Sequence, residues 1–169
     1  MDVALIVDGA NVMGSRADGW WRDRAGAMAR LHGELAALAA HGLTGPVPGA
    51  DAAPEPGSAP EPGSAPEPGS AGEAGAAAGP AGERASGRWF PHVYLVVEGR
   101  ARAVLDLVGP APRVHVVAAR GEGDDEIAGL AGRLAGRRVV VTADRELRRR
   151  CEAAGAAIAG PGWLIRQFS

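Results

Sequence analysis

Lysine is absent from this chain, and all 18 of its cationic side chains are arginine. Asparagine and glutamine occur once each, as Asn11 and Gln167, and cysteine once, as Cys151. A single cysteine excludes an intrachain disulfide and any cysteine-based zinc site. The missing lysine excludes a phosphate-cradling loop of the Gly-x-x-x-x-Gly-Lys kind. No apolar run approaches the roughly 18 residues that a membrane span needs. The opening Met1–Asp8 has no basic start, and Asp2 and Asp8 bracket its short apolar run, so it does not read as a signal peptide. A soluble, cytoplasmic protein is the expectation. Large core-forming residues are also scarce, because alanine supplies 36 of the 78 hydrophobic positions and leaves 42 to fill a core. In 169 residues that suffices for one domain, with part of the chain unfolded. The bias toward Ala, Gly, Arg and Pro has the look of codon pressure in a high-GC genome rather than of adaptation to a ligand.

The scarcity is concentrated between Thr44 and Arg88, where Val47 is the only Val, Leu, Ile or aromatic residue. Within that span Ala-Pro-Glu-Pro-Gly-Ser occurs three times in succession, at Ala53–Ser58, Ala59–Ser64 and Ala65–Ser70. Such a segment buries too little surface to offset its ordering entropy, and alternating proline biases it toward extended conformers. Solenoid repeats carry core residues and this hexamer carries none. Residues 44–88 therefore read as a disordered insertion in a single domain made of 1–43 and 89–169. The insertion holds six acids against Arg84 and Arg88. With its net −4 set aside, a chain of net charge −2 leaves a folded part that is +2. Six arginines between Arg137 and Arg150 make that part locally basic.

Outside the insertion, short continuous apolar runs alternate with helical patterns. The runs are Val3–Val7, Val93–Val97, Val114–Val117, Val139–Val141 and a shorter Ala156–Ala159. Helical spacing marks Trp20–Ala40, a short segment around Ala101–Val108, Asp124–Leu134 and Arg145–Ala154. Uninterrupted apolar strands separated by helices predict a parallel sheet covered on both faces. The fold class is α/β, a three-layer α/β/α arrangement around a central parallel sheet of four to five strands. Right-handed crossovers place every strand's carboxyl end on one edge, where ligands of open α/β sheets bind.

Acids stand at that edge. Asp8 follows the first strand, Glu98 the second, Asp144 comes three residues after the end of the fourth, and Asp124-Asp125-Glu126 open the helix after the third. Each alone has an ordinary structural use, as a helix cap, a dipole partner or a turn. Together they predict a cluster of like charges that a cation must neutralise. Oxygen-only ligands favour a hard ion, Mg²⁺ or Mn²⁺. Asn11, the one asparagine, lies three residues after Asp8 and offers a donor and an acceptor without charge. It is suited to orienting Asp8 or a phosphate.

These residues also carry a family likeness. Val7-Asp8-Gly9-Ala10-Asn11-Val12-Met13-Gly14 after a strand resembles the opening motif of NYN-domain proteins, a PIN-like ribonuclease group. Gly123-Asp124-Asp125-Glu126-Ile127 is similar to that family's Asp-led helix, and Thr142-Ala143-Asp144-Arg145 to its Thr/Ser-x-Asp motif. The likeness spans nearly the whole chain outside the insertion, with Glu98 standing where the family often has aspartate. It implies a PIN-like, Rossmann-like fold and a metal-dependent endoribonuclease acting on RNA. By position it makes Asp8, Asp124 and Asp144 the metal-site acids, with Asp125 and Glu98 beside them and Asn11 as an orienting catalytic residue. Phosphate contacts are expected from arginines near the acidic edge: Arg16, Arg100, Arg102, Arg120 and Arg145. A non-catalytic RNA-binding or scaffold module with the same fold is the competing reading. A Nudix hydrolase is disfavoured, because Arg148, Arg149 and Arg150 occupy the space where its paired glutamates would fall.

Overall fold

The computed structural model describes residues 2–50 and 87–168. Five strands form one sheet: β1 Val3–Asp8, β2 His92–Val97, β3 Val114–Ala118, β4 Arg137–Val141 and β5 Ala157–Ala159. Their order is β3-β2-β1-β4-β5 and every pairing is parallel. β1 lies at the centre with all six residues buried, which is why it reads as an unbroken apolar run. Alternate residues serve opposite faces. Leu5 and Val7 of β1, Leu95 of β2 and Val141 of β4 join a core with α1 (Gly9–Gly14), α2 (Arg24–His41) and α5 (Pro161–Gln167). Ile6, Val96 and Val140 join a second core with α3 (Gly123–Arg133) and α4 (Arg145–Ala153). The result is the three-layer α/β/α fold.

The sheet grows outward from β1 to β3, then resumes at β4 on the other side of β1. The connections out of β1 and β4 thus run to opposite faces, and a crevice opens between their carboxyl ends.

Local chemistry adjusts several element boundaries. The helix expected from Trp20 begins only at Arg24, because Asp23 adopts extended φ and its carboxylate accepts the Gly26 N–H at 2.9 Å. Ahead of it, Trp20–Arg22 form a single 3-10 turn. The short helix after β2 is likewise 3-10, over Gly99–Asp106. Two helices carry no periodic signal in the sequence: α1, six residues long with glycine at both ends, and α5, which opens on Pro161. His115 stacks on Tyr94 with ring centroids 4.9 Å apart, and Cys151 is buried.

Of the insertion read over 44–88, residues 51–86 lie outside the described residues. Its flanks meet. Leu43 and Trp89 exchange two backbone hydrogen bonds of 2.9 and 3.0 Å. Val47 packs against the first core, and Gly49 lies so close to Ala157 that a Cβ there would stand 2.6 Å from the alanine methyl.

Candidate active site

Asp8 ends the central strand, so its carboxylate stands at the mouth of the crevice between β1 and β4. The residue is 8% exposed. Its Oδ1 accepts the Asn11 N–H at 3.2 Å, which caps α1, and its Oδ2 accepts the Thr142 hydroxyl at 3.0 Å. Thr142, fully buried, accepts the Asp144 N–H at 3.2 Å through the same oxygen. The Asn11 side-chain oxygen accepts the Ala143 N–H at 2.9 Å. Two of these four bonds, Thr142 to Asp8 and Ala143 to Asn11, tie the β1–α1 junction to the end of β4, and the other two brace each segment locally. Glycine is required next to Asp8: a Cβ at Gly9 would stand 2.7 Å from the Val96 carbonyl oxygen and 2.9 Å from the Met28 methyl.

Three further acids stand at the same edge. Glu98 follows β2, and its Oε2 accepts the Gly123 N–H at the start of α3. Asp124 lies in the first turn of α3 and is half-buried. Asp144 caps α4 by accepting the Leu147 N–H at 2.8 Å through Oδ1. Burial pushes the Asp8 carboxyl up to about 6, against the pull of its two hydrogen bonds, and the charges of Asp124 and Glu98 push the same way. Asp124 is raised too, first by burial and then by Asp144 and Glu98. The four acids therefore share one electrostatic neighbourhood, reached from four separate segments of chain.

Asp125 is not among them. Successive helical residues point about 100° apart, and the Asp125 side chain, 71% exposed, pairs with Arg150 at 3.0 Å. Thr142 was not singled out as a site residue from the sequence, although it lies in the Thr142-Ala143-Asp144 motif. The readable signal was a hydroxyl directly following the three-valine run of a central strand.

The donor set suits a hard divalent ion: four carboxylates, each with unused acceptor capacity, and two of them with affinity for protons already raised. Among the described residues, however, no three Asp, Glu, His or Cys side chains are gathered into a group that could hold a metal. The chemistry fits such an ion, and the side-chain separations do not yet close a coordination shell.

The arginines divide by environment. Arg16 is committed inward, 2.7 Å from Glu34 and stacked over Phe168 at 5.2 Å. Arg100, Arg102, Arg120 and Arg145 are exposed, with Arg145 opening α4 directly after Asp144. Arg148 and Arg149 are exposed further along α4.

A solved structure of Rae1 (YacP) from Bacillus subtilis shares this fold. The TM-score is 0.57 at 16% sequence identity, over 99% of this chain and 75% of that one. No family model and no curated protein matches the sequence. Among the described residues, no helix is long and apolar enough to cross a membrane.

Proposed function

We propose that the chain is a metal-dependent endoribonuclease that hydrolyses RNA phosphodiester bonds at the edge where β1 and β4 end. The observation that carries this reading is the buried Asp8 at the end of β1, its carboxyl pushed up to about 6 by burial and by the charges of Asp124 and Glu98, beside the topological switch point across which Asp144 caps α4. The fold shared with Rae1 and the NYN-type motifs around Asp8, Asp124 and Asp144 support it. Those three acids, with Glu98, would hold Mg²⁺ or Mn²⁺. Such an ion supplies Lewis acidity at the phosphate and lowers the pKa of a bound water.

The protein's own residues perform the remaining tasks. Thr142 and the Asn11 backbone N–H fix both oxygens of Asp8, so that carboxylate pays little reorganisation when charge arrives. Asn11 locks the 142–144 segment to α1, which holds Asp144 in register with Asp8. In this reading Arg145, which opens α4 directly after Asp144, engages a phosphate in bidentate fashion, with Arg100 of the 3-10 segment and Arg120 of the loop before α3 as further contacts. The resemblance to NYN-domain ribonucleases implies products with 5′-phosphate and 3′-hydroxyl ends.

The test is incubation of the purified chain with single-stranded and structured RNA, with and without Mn²⁺, beside Asp8→Asn and Asp144→Asn. Cleavage should need the ion and fall at least about 100-fold in either variant. Equal cleavage by wild type and Asp8→Asn would remove the assignment. RNA binding with no cleavage under any ion would favour the scaffold reading instead.

A further inference from the structure

Beside the acids lies a cavity of about 360 Å³, lined among others by Met13, Trp20, Arg24, Glu98, Ala101 and Glu122. Its walls come from the segments that follow β1, β2 and β3, so it opens on the same edge as the acids and shares Glu98 with them. Across the rim the order is cavity over β3-β2-β1, acids over β2-β1-β4, then the arginines of α4. The lining is half apolar, from Met13, Ala101 and the half-buried Trp20, whose ring carries the Arg24 guanidinium 5.5 Å from its centroid. The polar remainder is two carboxylates and one guanidinium. That net negative charge repels a phosphate, yet it accepts hydrogen bonds from a neutral group that bears N–H donors. A flat, uncharged, partly apolar ring with an exocyclic amine satisfies all of these conditions.

We propose that this cavity is a base-binding subsite which takes an unpaired, amino-bearing nucleobase of single-stranded RNA, the nucleotide adjoining the phosphate at the acid rim. It rests on the reading that RNA is the molecule handled at that rim. Trp20 and Arg24 form the stacking wall, and Glu122, exposed at the mouth, accepts from the exocyclic amine. A base paired in a duplex cannot enter, so the subsite selects unpaired strands. Cytosine and uracil separate the two contributions, because they differ where one has an amine and the other a carbonyl.

The experiment is equilibrium binding of short oligo-C, oligo-U and abasic RNA strands to the full chain with divalent ions omitted. Oligo-U should bind about tenfold more tightly than the abasic strand, the range that stacking of a base on an aromatic side chain provides. Oligo-C should exceed oligo-U by about a further fivefold, in keeping with the net worth of one hydrogen bond. Trp20→Ala should bring oligo-C down to the abasic level, and Trp20→Phe should restore most of the difference. Should Trp20→Ala fail to fold, Glu122→Gln, at an exposed position, carries the test by erasing the preference for C over U alone. Equal binding of oligo-C and abasic strands, or a C-over-U preference untouched by Glu122→Gln, overturns the proposal. Because no cleavage enters the measurement, base selectivity without ion-dependent cleavage removes the nuclease assignment and leaves the subsite standing. Cleavage without base selectivity does the reverse.

Discussion

A carboxyl group that titrates near 6 in the folded chain and near its ordinary 3.8 in the unfolded one makes Asp8 a source of pH-dependent stability. Between those values the folded protein retains a proton that the unfolded chain has released. Unfolding is therefore easier as pH rises from about 4 to about 6, and the loss levels off above that range. The difference corresponds to about 3 kcal/mol against the metal-free fold at neutral pH. Asp8→Asn, which removes the buried charge, should stabilise the metal-free protein at pH 7.5 by about 1–2 kcal/mol and flatten its urea midpoints between pH 4 and 6. An unaltered pH dependence would show that Asp8 is not the group responsible. Thr142 acts in the opposite sense, since its hydroxyl lowers the Asp8 pKa. Thr142→Val should move the acidic limb of any activity profile to higher pH and cost about 1–2 kcal/mol in stability. Asn11 was legible as a single amide beside a single acid. Thr142 was harder, because a hydroxyl after an apolar run announces nothing until β1 and β4 are adjacent.

At the level of elements, the central strands were legible because burial on both faces leaves unbroken apolar runs at Val3–Val7, Val93–Val97 and Val139–Val141. The short helices were not. α1 is held by the Asp8 cap and by burial of Val12 and Met13, tertiary facts that six residues with a glycine at either end do not advertise. The helix expected to contain Trp20 and Trp21 starts after them, since Asp23 is a better cap than a mid-helix residue. Asp23→Ala should cost about 1 kcal/mol in a denaturant titration. In α4 the arginines differ by azimuth. All three of Arg148, Arg149 and Arg150 are exposed, and Arg150 reaches Asp125 of α3. Replacing Arg148 and Arg149 together by alanine should weaken RNA binding and reduce the salt slope of log K by about 2, if both meet phosphates. A slope unchanged in the double variant would assign them to solvent.

For the molecule as a whole, parallel topology decided most of what a one-dimensional reading could reach: once every strand points the same way, acids at their ends share a rim. Orientation within the rim was beyond that reading. Asp124 faces its fellow acids while Asp125, one residue on, turns away, and Arg16 is taken by Glu34. The boundary of the insertion is another matter of packing, because Val47 and Gly49 touch the folded body. Replacing residues 51–86 by a short Gly/Ser linker should leave Tm unchanged or raise it by about 3 °C, since closing a shorter loop costs less entropy. A deletion that also takes Val47 should lower it. The bridge between Leu43 and Trp89 ties this detour at its neck, and the tie lies where α2 hands over to the start of β2, at the opposite pole from the acids. A fluorophore, an affinity tag or an entire guest domain spliced in there would thus be anchored at the rear of the molecule, at the pole away from the acids.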